Sequence, residues 1–355
     1  MVNGLKVIPE LESTYWKQTN DQEKYELFEL KIKPKISEKL KMTKLQLKTF
    51  EMSGIKLRSF QFLLNQEPFT FIPGAKNVIL GWDNGGNDDI LREVLLNAYD
   101  DLVDSAERQR EFSGQNFNDW INAHTTYLRK VDIPPMIVAK YALPVSTEPI
   151  GTIDPITGKF SGDEAEYDKF HETIQSVLFP KLSFGESINF VQPEAYLEQH
   201  HFFLELFPFT EKYRVFKHTP QTYRENLKSI DDKGFRLLTE NEWEYVVGGG
   251  TRKLFRFNTH EEVEALLETT GSFHQVKVTE SENMFGLVID SSRERYELTN
   301  DAFVLKLTNQ AKSGNIVRDI LPLATYYQSH RSVNFSDKLA PEQFQYRKVI
   351  DLLSR

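Results

Sequence analysis

One short segment, GFRLLTENEWEYVVGGG at positions 234–250, restricts its own local structure more tightly than any other part of the chain. Phe235 to Leu238 predict a short strand. Thr239, followed by Glu242 three residues later, has the spacing of a capping box that begins a helix. The apolar residues of that helix recur on one face, namely Trp243, Val246 and Val247. Three consecutive glycines are expected to end it.

The chain has 355 residues and no cysteine. That length can bury one large or two moderate cores without cross-links. The absence of cysteine excludes disulfides, thiolate metal ligands and thiol nucleophiles. The first residues lack an apolar signal segment, and no run approaches the roughly 18 apolar residues of a membrane span, so a cytoplasmic protein without a membrane partner is expected. A net charge of −9 disfavours nucleic acid as the principal partner.

Apolar residues alternate with lysines between residues 24 and 72, which predicts half-buried antiparallel strands with a lysine-bearing face. That face is either simply solvated or a patch for an anionic surface, and both interpretations stay open. Phe69 to Gly74 and Val78 to Gly81 predict a strand, a Pro-Gly turn and a second strand. Met136 to Tyr141 predicts a buried strand.

Helical spacing predicts further helices at 90–106, from Asn118 onwards, at 164–178, at 193–206 and at 220–230. Thr219 is the expected cap of the last of these. Residues 144–163 are rich in Pro, Gly, Ser, Thr and Asp, which predicts a long loop. On a helix, His200 and His201 would point about 100° apart, so they are not expected to share a metal ion.

The segment at 234–250 is similar to the signature of the formylglycine-generating enzyme, or sulfatase-modifying factor, family. The structural signature positions are Arg236, Thr239, Glu240, Glu242, Trp243 and Glu244, while Leu238 stands where the family has proline. Weaker similarities to the family occur at 71–74, 283–287, 296–298 and 346–350, and these stretches have the same order along the chain as in the family. The resemblance implies an α+β, C-type-lectin-like fold.

The implied family domain spans residues 61–355, with insertions at about 84–133 and 154–218. A β-rich N-terminal segment, residues 1–60, would precede it. No pathway or partner is indicated for that segment, although it could be the functional module with the rest as its support.

In the family, oxidase activity depends on paired cysteines near the C-terminus. The corresponding stretch here contains none, so formylglycine generation is excluded and no catalytic residue is predicted. The polar residues of that stretch are candidates for lining a ligand groove, namely Tyr326, Tyr327, His330 and Arg331. Tyrosines with an arginine can hold a peptide or a small anion. The alternative is that they only pack the last turn.

Family members also bind calcium, and Asp290 and Glu297 stand at comparable positions. Arg293 and Arg295 would compete with a cation for those carboxylates, so a structural salt bridge is the alternative to a metal site. Calcium is therefore a possible cofactor, and no other is predicted.

Two functional hypotheses follow. The first is a non-catalytic binding or scaffold protein, a pseudoenzyme that holds a protein, a peptide or a small ligand. The second is an enzyme of thiol-independent chemistry, such as a metal-assisted oxidase or a peptide modifier. That enzyme would use Tyr326, His330 and Arg331 with Asp290 and Glu297.

Overall fold

The computed structural model describes residues 8–52, 54–92, 115–207, 209–256, 282–289, 295–307 and 316–353. Its α-helices are α1 (Ser13–Trp16), α2 (Asp21–Leu27), α3 (Gln115–Ala123), α4 (Glu164–Tyr167), α5 (His171–Leu178), α6 (Phe184–Ser187), α7 (Tyr223–Asp232), α8 (Glu240–Val247) and α9 (Ile316–Ile320). A π-helical turn covers Phe28–Ile32, and 3₁₀ turns cover Pro9–Leu11, Lys33–Lys35 and Leu321–Leu323.

The strands are β1 (Met42–Met52), β2 (Ile55–Leu64), β3 (Glu67–Ile72), β4 (Ala75–Leu80), β5 (Arg129–Ile133), β6 (Met136–Ala139), β7 (Leu143–Pro144), β8 (Thr147–Ile153), β9 (Phe160–Gly162), β10 (Ala195–Glu198), β11 (Phe202–Phe207), β12 (Lys212–His218), β13 (Tyr296–Leu298), β14 (Leu305–Lys306), β15 (Phe344–Tyr346) and β16 (Val349–Asp351). The fold is mixed α+β with several antiparallel sheets, as the sequence predicts.

Two five-stranded sheets dominate the described chain. The first has the order β1-β2-β3-β6-β16 and joins the two ends of the sequence. The second has the order β10-β11-β12-β8-β9 and is built from one continuous stretch. A four-stranded sheet, β14-β13-β15-β7, contains a parallel pair, β13 with β15, and β4 pairs with β5.

We call residues 147–218 the module and the remainder of the described chain the body. The body has one large core that includes Trp16, Phe71, Trp243 and Tyr346. The module has a separate core, in which apolar side chains of β8, β11 and β12 pack against Ile174 and Leu178 of α5. The described residues therefore pack around two hydrophobic cores.

Alternation along the module strands fixes what faces the body. Phe202 and Leu204 of β11 belong to the module core, whereas Phe203 between them belongs to the body core. Because side chains of a strand alternate between faces, Glu205 shares the body-facing side with Phe203. The module sheet is thus covered by its own helices on one face and by the body on the other.

The predicted strand at the start of the lysine-rich region is wrong, because residues 21–35 are helical. The side chain of Asn20 caps α2 in a capping box with Glu23, and Phe28 and Ile32 are buried at helical spacing. The following strands, β1 and β2, are confirmed. The expected boundary at residue 60 falls inside β2, which is continuous with the body sheet.

Two predictions inside the module are wrong. The helix at 193–206 is the antiparallel pair β10 and β11, and the loop at 144–163 contains β7, β8 and β9. Phe202–Phe207 is a continuous apolar run apart from Glu205, and such a run does not distinguish a buried strand from a helix by its period. His200 consequently lies in the turn between two strands with a positive φ of 66°.

Other local predictions are confirmed. Strands β3, β4 and β6 lie where expected, and helices α4 and α5 occupy 164–178. Helix α7 is capped by Thr222, in a capping box with Glu225, and not by Thr219. The helix predicted at 90–106 lies mostly outside the described residues. Within the described ranges, no helix is long and apolar enough to cross a lipid bilayer.

Candidate functional site

Helix α8 forms as its sequence predicts. The Thr239 hydroxyl accepts a hydrogen bond from the Glu242 backbone N–H at 3.2 Å, and the Thr239 N–H donates to the Glu242 carboxylate at 2.8 Å. The helix ends in two glycines with positive φ, Gly249 at 60° and Gly250 at 67°. Arg236 donates to Glu242 at 2.7 Å and also pairs with Asp351, which ties α8 to the last strand.

The remaining acidic positions of this segment belong to a buried ionic network. Glu244 is fully buried and accepts hydrogen bonds from Arg129 at 2.9 Å, Thr126 at 2.9 Å and Lys306 at 3.0 Å. The Lys306 ammonium also lies 2.8 Å from Glu240. These carboxylates hold α8 against neighbouring segments of the body.

The groove candidates near the C-terminus lie in different environments. Tyr326 is completely buried, and its hydroxyl donates to the Thr251 carbonyl at 3.1 Å. Burial raises the pKa of the Tyr326 phenol. Tyr327 is half-buried, while His330 and Arg331 are exposed. The His330 ring lies 5.4 Å from the ring of His124.

Packing therefore accounts for Tyr326, whereas His330 and Arg331 stay surface candidates for contacting a ligand. The Arg331 guanidinium lies 6.0 Å from the ring of Tyr296. Sequence reasoning missed both of these partners, since Tyr296 and His124 are distant along the chain.

Glu297, one of the two calcium candidates, is fully buried beside the guanidinium of Arg347. Arg347 Nε donates to Glu297 Oε1 at 3.1 Å, and its other nitrogens donate to the carbonyls of Ala139, Lys140 and Val288. Among the described residues, the cation hydrogen-bonded to Glu297 is therefore Arg347, an arginine that was not expected from the sequence, and Arg295 pairs with Glu205. Asp290 and Arg293 lie outside the described residues.

Sequence reasoning also missed a cavity of about 670 Å³ between the module and the body. From the body it is lined by Asn65, Gln66, Glu67, Pro68, Ala139, Tyr141 and Leu143. From the module it is lined by Pro149, Ile150, Gly151, Thr152, Ser161, Gly162, Asp163, Phe207, Thr210, Arg214 and Phe216. Ligand pockets usually measure roughly 300–1,000 Å³.

Glycines on β8 and β9 shape one wall of the cavity. Gly151 and Gly162 face each other in the ladder between these strands. A Cβ added to Gly151 would lie 2.4 Å from the ring of Phe160, and one added to Gly162 would lie 2.2 Å from the carbonyl oxygen of Ile150. The close approach of the two strands therefore requires the smallest residue at both positions.

Two lining residues, Tyr141 and Phe207, belong to an aromatic cluster that also contains Phe209. The ring of Tyr141 lies 5.0 Å from that of Phe207 and perpendicular to it, and 5.7 Å from that of Phe209. Phe207 and Phe209 are themselves 5.2 Å apart. Such an arrangement offers flat apolar faces to an aromatic or aliphatic ligand.

Among the described residues that line this cavity, Arg214 alone is positively charged. Its guanidinium carbon lies 3.9 Å from the ring centroid of Phe207 and 5.4 Å from that of Phe216. The same group pairs with Glu205, which is fully buried. Glu205 also lies 2.7 Å from Arg295 of the body, so the ionic cluster crosses the boundary between module and body.

The two acidic residues of the lining are both engaged by protein groups. Lys348 donates to the Glu67 oxygens at 2.7 and 2.9 Å. The Asp163 carboxylate caps α4 by accepting from the Glu166 backbone N–H at 3.1 Å. Among the described residues, no three His, Asp or Glu side chains are grouped so as to hold a metal ion.

Comparison with known families bears on the module alone. Residues 148–217 match the family described as a profilin-like domain of unknown function (DUF7278). The matched stretch begins in β8 and ends in β12, so it coincides with the separate sheet and core of the module. No curated protein matches the chain.

Proposed function

We propose that this protein binds a small, largely apolar molecule in the cavity between the module and the body. The observation that carries the proposal is the cavity itself, which has a volume of about 670 Å³ and a lining surface that is mostly apolar, although about half of the lining residues have polar side chains. One wall comes from the body and the other from the module, and ligand sites often lie at such boundaries between domains.

The chemistry of the lining supports binding more than turnover. Glu67 is paired with Lys348, Asp163 caps a helix, and Arg214 pairs with Glu205. Each of these three charged side chains thus has a structural partner, whereas a general acid or base must be free to exchange a proton with the substrate. The proposed role is that of a non-catalytic binding protein.

We also propose that the body has the C-type-lectin-like architecture of the formylglycine-generating enzyme family. The separate stretches that carry the resemblance lie together in support of this kinship, since Phe71, Trp243 and Tyr346 share one core. Asn283 Nδ2 donates to the Val246 carbonyl of α8 at 2.6 Å. Calcium binding at Asp290 and Glu297 stays a prediction.

Fluorescence titration with N-phenyl-1-naphthylamine, a neutral apolar dye, tests the proposed cavity. We expect saturable binding with one site per chain. Ser161→Trp places an indole in the lining from exposed strand β9 and should weaken the dye's affinity at least tenfold. Ser176→Trp, on the exposed side of α5, is the matched control and should bind normally.

An absence of saturable binding by the wild-type protein would overturn the proposal. Equal affinity in the Ser161 and Ser176 variants would do the same, because the dye would then be held elsewhere. Near-ultraviolet circular dichroism of each variant shows whether its tertiary packing is intact.

A further inference from the structure

We infer that the ligand of this cavity carries an acidic group, such as a carboxylate, on an aromatic or branched apolar body, and that Arg214 binds the acidic group. The inference rests on the proposed function of the cavity and specifies its ligand class.

The position of Arg214 follows from strand alternation. On β12, Tyr213 and Val215 point into the module core, whereas Phe216 belongs to the body core. Arg214, between Tyr213 and Val215, therefore points to the boundary with the body, where the cavity lies. Its side chain keeps 14 % of its surface exposed and stacks on Phe207.

The protein does not saturate the guanidinium. Arg214 donates to Glu205 and, at the long distance of 3.5 Å, to the Ala142 carbonyl, so each terminal nitrogen keeps one N–H without a protein partner, while the Nε is shielded from solvent. A guanidinium has five N–H donors and matches a carboxylate through two parallel bonds. Arg214 can therefore accept a second anionic partner.

Glu205 does not serve Arg214 alone. Its other carboxylate oxygen lies 2.7 Å from Arg295, which is 2 % exposed. One buried carboxylate is thus divided between two guanidinium groups. A ligand anion beside Arg214 would add negative charge where positive groups are concentrated, and in a site with little water such a pairing is stronger than at the surface.

The two acidic side chains of the lining, Glu67 and Asp163, would repel a ligand anion, but each of them already interacts with other groups of the protein. Both Glu67 oxygens are bonded to Lys348, and Asp163 is exposed and occupied with capping α4. If the negative charge of these carboxylates nevertheless dominated the electrostatic potential in the cavity, the cavity would bind a cationic ligand preferentially. The experiment therefore includes a cationic probe.

The probes are three naphthalene derivatives of similar shape that displace N-phenyl-1-naphthylamine from the wild-type protein at pH 7. They are 2-naphthoate, which is anionic, 2-naphthamide, which is neutral, and 2-naphthylmethylamine, which is cationic. We expect the anion to compete roughly tenfold better than the amide, the effect of one charge-assisted pair. The cation should compete least.

The variant Arg214→Gln should bind the dye and the amide normally and lose the preference for the anion. Arg295→Gln is the matched control, because it removes the other arginine on Glu205 without altering the cavity lining. It should keep the preference. Should Arg214→Gln fail to fold, the ranking of the three probes on the wild-type protein still decides.

Equal competition by anion and amide, or strongest competition by the cation, would overturn the acidic ligand while leaving the binding function intact. Loss of the preference in Arg295→Gln to the same degree as in Arg214→Gln would show that the ionic cluster, and not contact with Arg214, sets it. A wild-type protein that binds no dye contradicts the proposed function instead.

Discussion

The body core and the module core differ in how far apart in sequence their residues lie. The body core contains Trp16 from near the start of the chain, Trp243 from its second half and Leu352 from near its end. It therefore forms only when segments that are distant in sequence come together. The module core is drawn from residues 150–215 alone. Closing long loops costs more conformational entropy, and the module is therefore the part that can order locally.

The two regions also use buried charge differently. In the body, Glu244 with Lys306 and Glu297 with Arg347 are buried pairs that fix neighbouring segments. In the module, Glu205 is buried against the boundary and reaches Arg295 of the body. Body charges thus orient elements within one core, whereas the Glu205 cluster orients one core against the other.

Core truncations give the largest expected effects. Trp243→Ala should lower the free energy of unfolding by roughly 3–5 kcal/mol and weaken hydrogen-exchange protection throughout the body. Leu204→Ala should cost roughly 2–5 kcal/mol, with lost protection concentrated in residues 147–218. Urea unfolding with exchange mass spectrometry measures both. Uniform loss of protection in both variants would contradict two separately packed cores.

Breaking a buried ionic pair should follow in size. Glu244→Gln removes the anion that pairs with Arg129 and one of the two that pair with Lys306, and we expect a loss of about 3 kcal/mol in urea unfolding. The matched control is Glu225→Gln, which removes an exposed pair with Lys338, can keep the capping-box hydrogen bond from the Thr222 N–H, and should leave stability nearly unchanged. Similar losses in the two variants would refute a structural role for Glu244.

The two threonine caps should have smaller and unequal effects. Thr239→Ala is expected to cost about 1–2 kcal/mol, since its capping box is joined to Arg236 through the buried Glu242. Thr222→Ala, at the more exposed start of α7, should cost about 0.5–1 kcal/mol. Thermal unfolding of both variants compares them directly, and a greater loss at Thr222 would reverse the expected order.

The smallest effect concerns pH and lies in the module. Burial, with a contribution from the nearby His200, lowers the pKa of His218 below its ordinary value of 6.5. The unfolded chain therefore binds a proton more readily, and the His218 contribution to stability is present above pH 6.5 and lost as the pH falls. Urea unfolding at pH 5.5 and 7.5 should show a weaker pH dependence in His218→Asn. An unchanged dependence would exclude His218 as a contributor.

Local sequence patterns predicted some secondary-structure elements correctly and others wrongly. The Thr239 box and the glycines after α8 could be located because their partners lie within a few residues. Asn20 and Glu23 form a capping box of the same kind. The alternation of apolar residues and lysines after them nevertheless suggested a strand, whereas the segment is helical because Phe28 packs against Phe60 at helical spacing. The apolar run of β11 carried no period that separates strand from helix.

The cavity lay beyond sequence reasoning for a related reason. Its lining depends on which face of β12 meets the body, and that face could not be assigned while the preceding strand was interpreted as a helix. Among the groove candidates, the sequence supplied the polar residues, but only packing distinguished buried Tyr326 from exposed His330.

The sequence by itself determined the absence of thiol chemistry, the capped helix at Thr239 and the mixed α+β character, because each depends on residue identity or on neighbours a few positions away. Tertiary structure decided the division into two cores, the partner of Glu297 and the placement of Arg214 beside a cavity. Those features depend on contacts between residues far apart in the chain, and the free energy of such contacts is fixed only when the sheets pack.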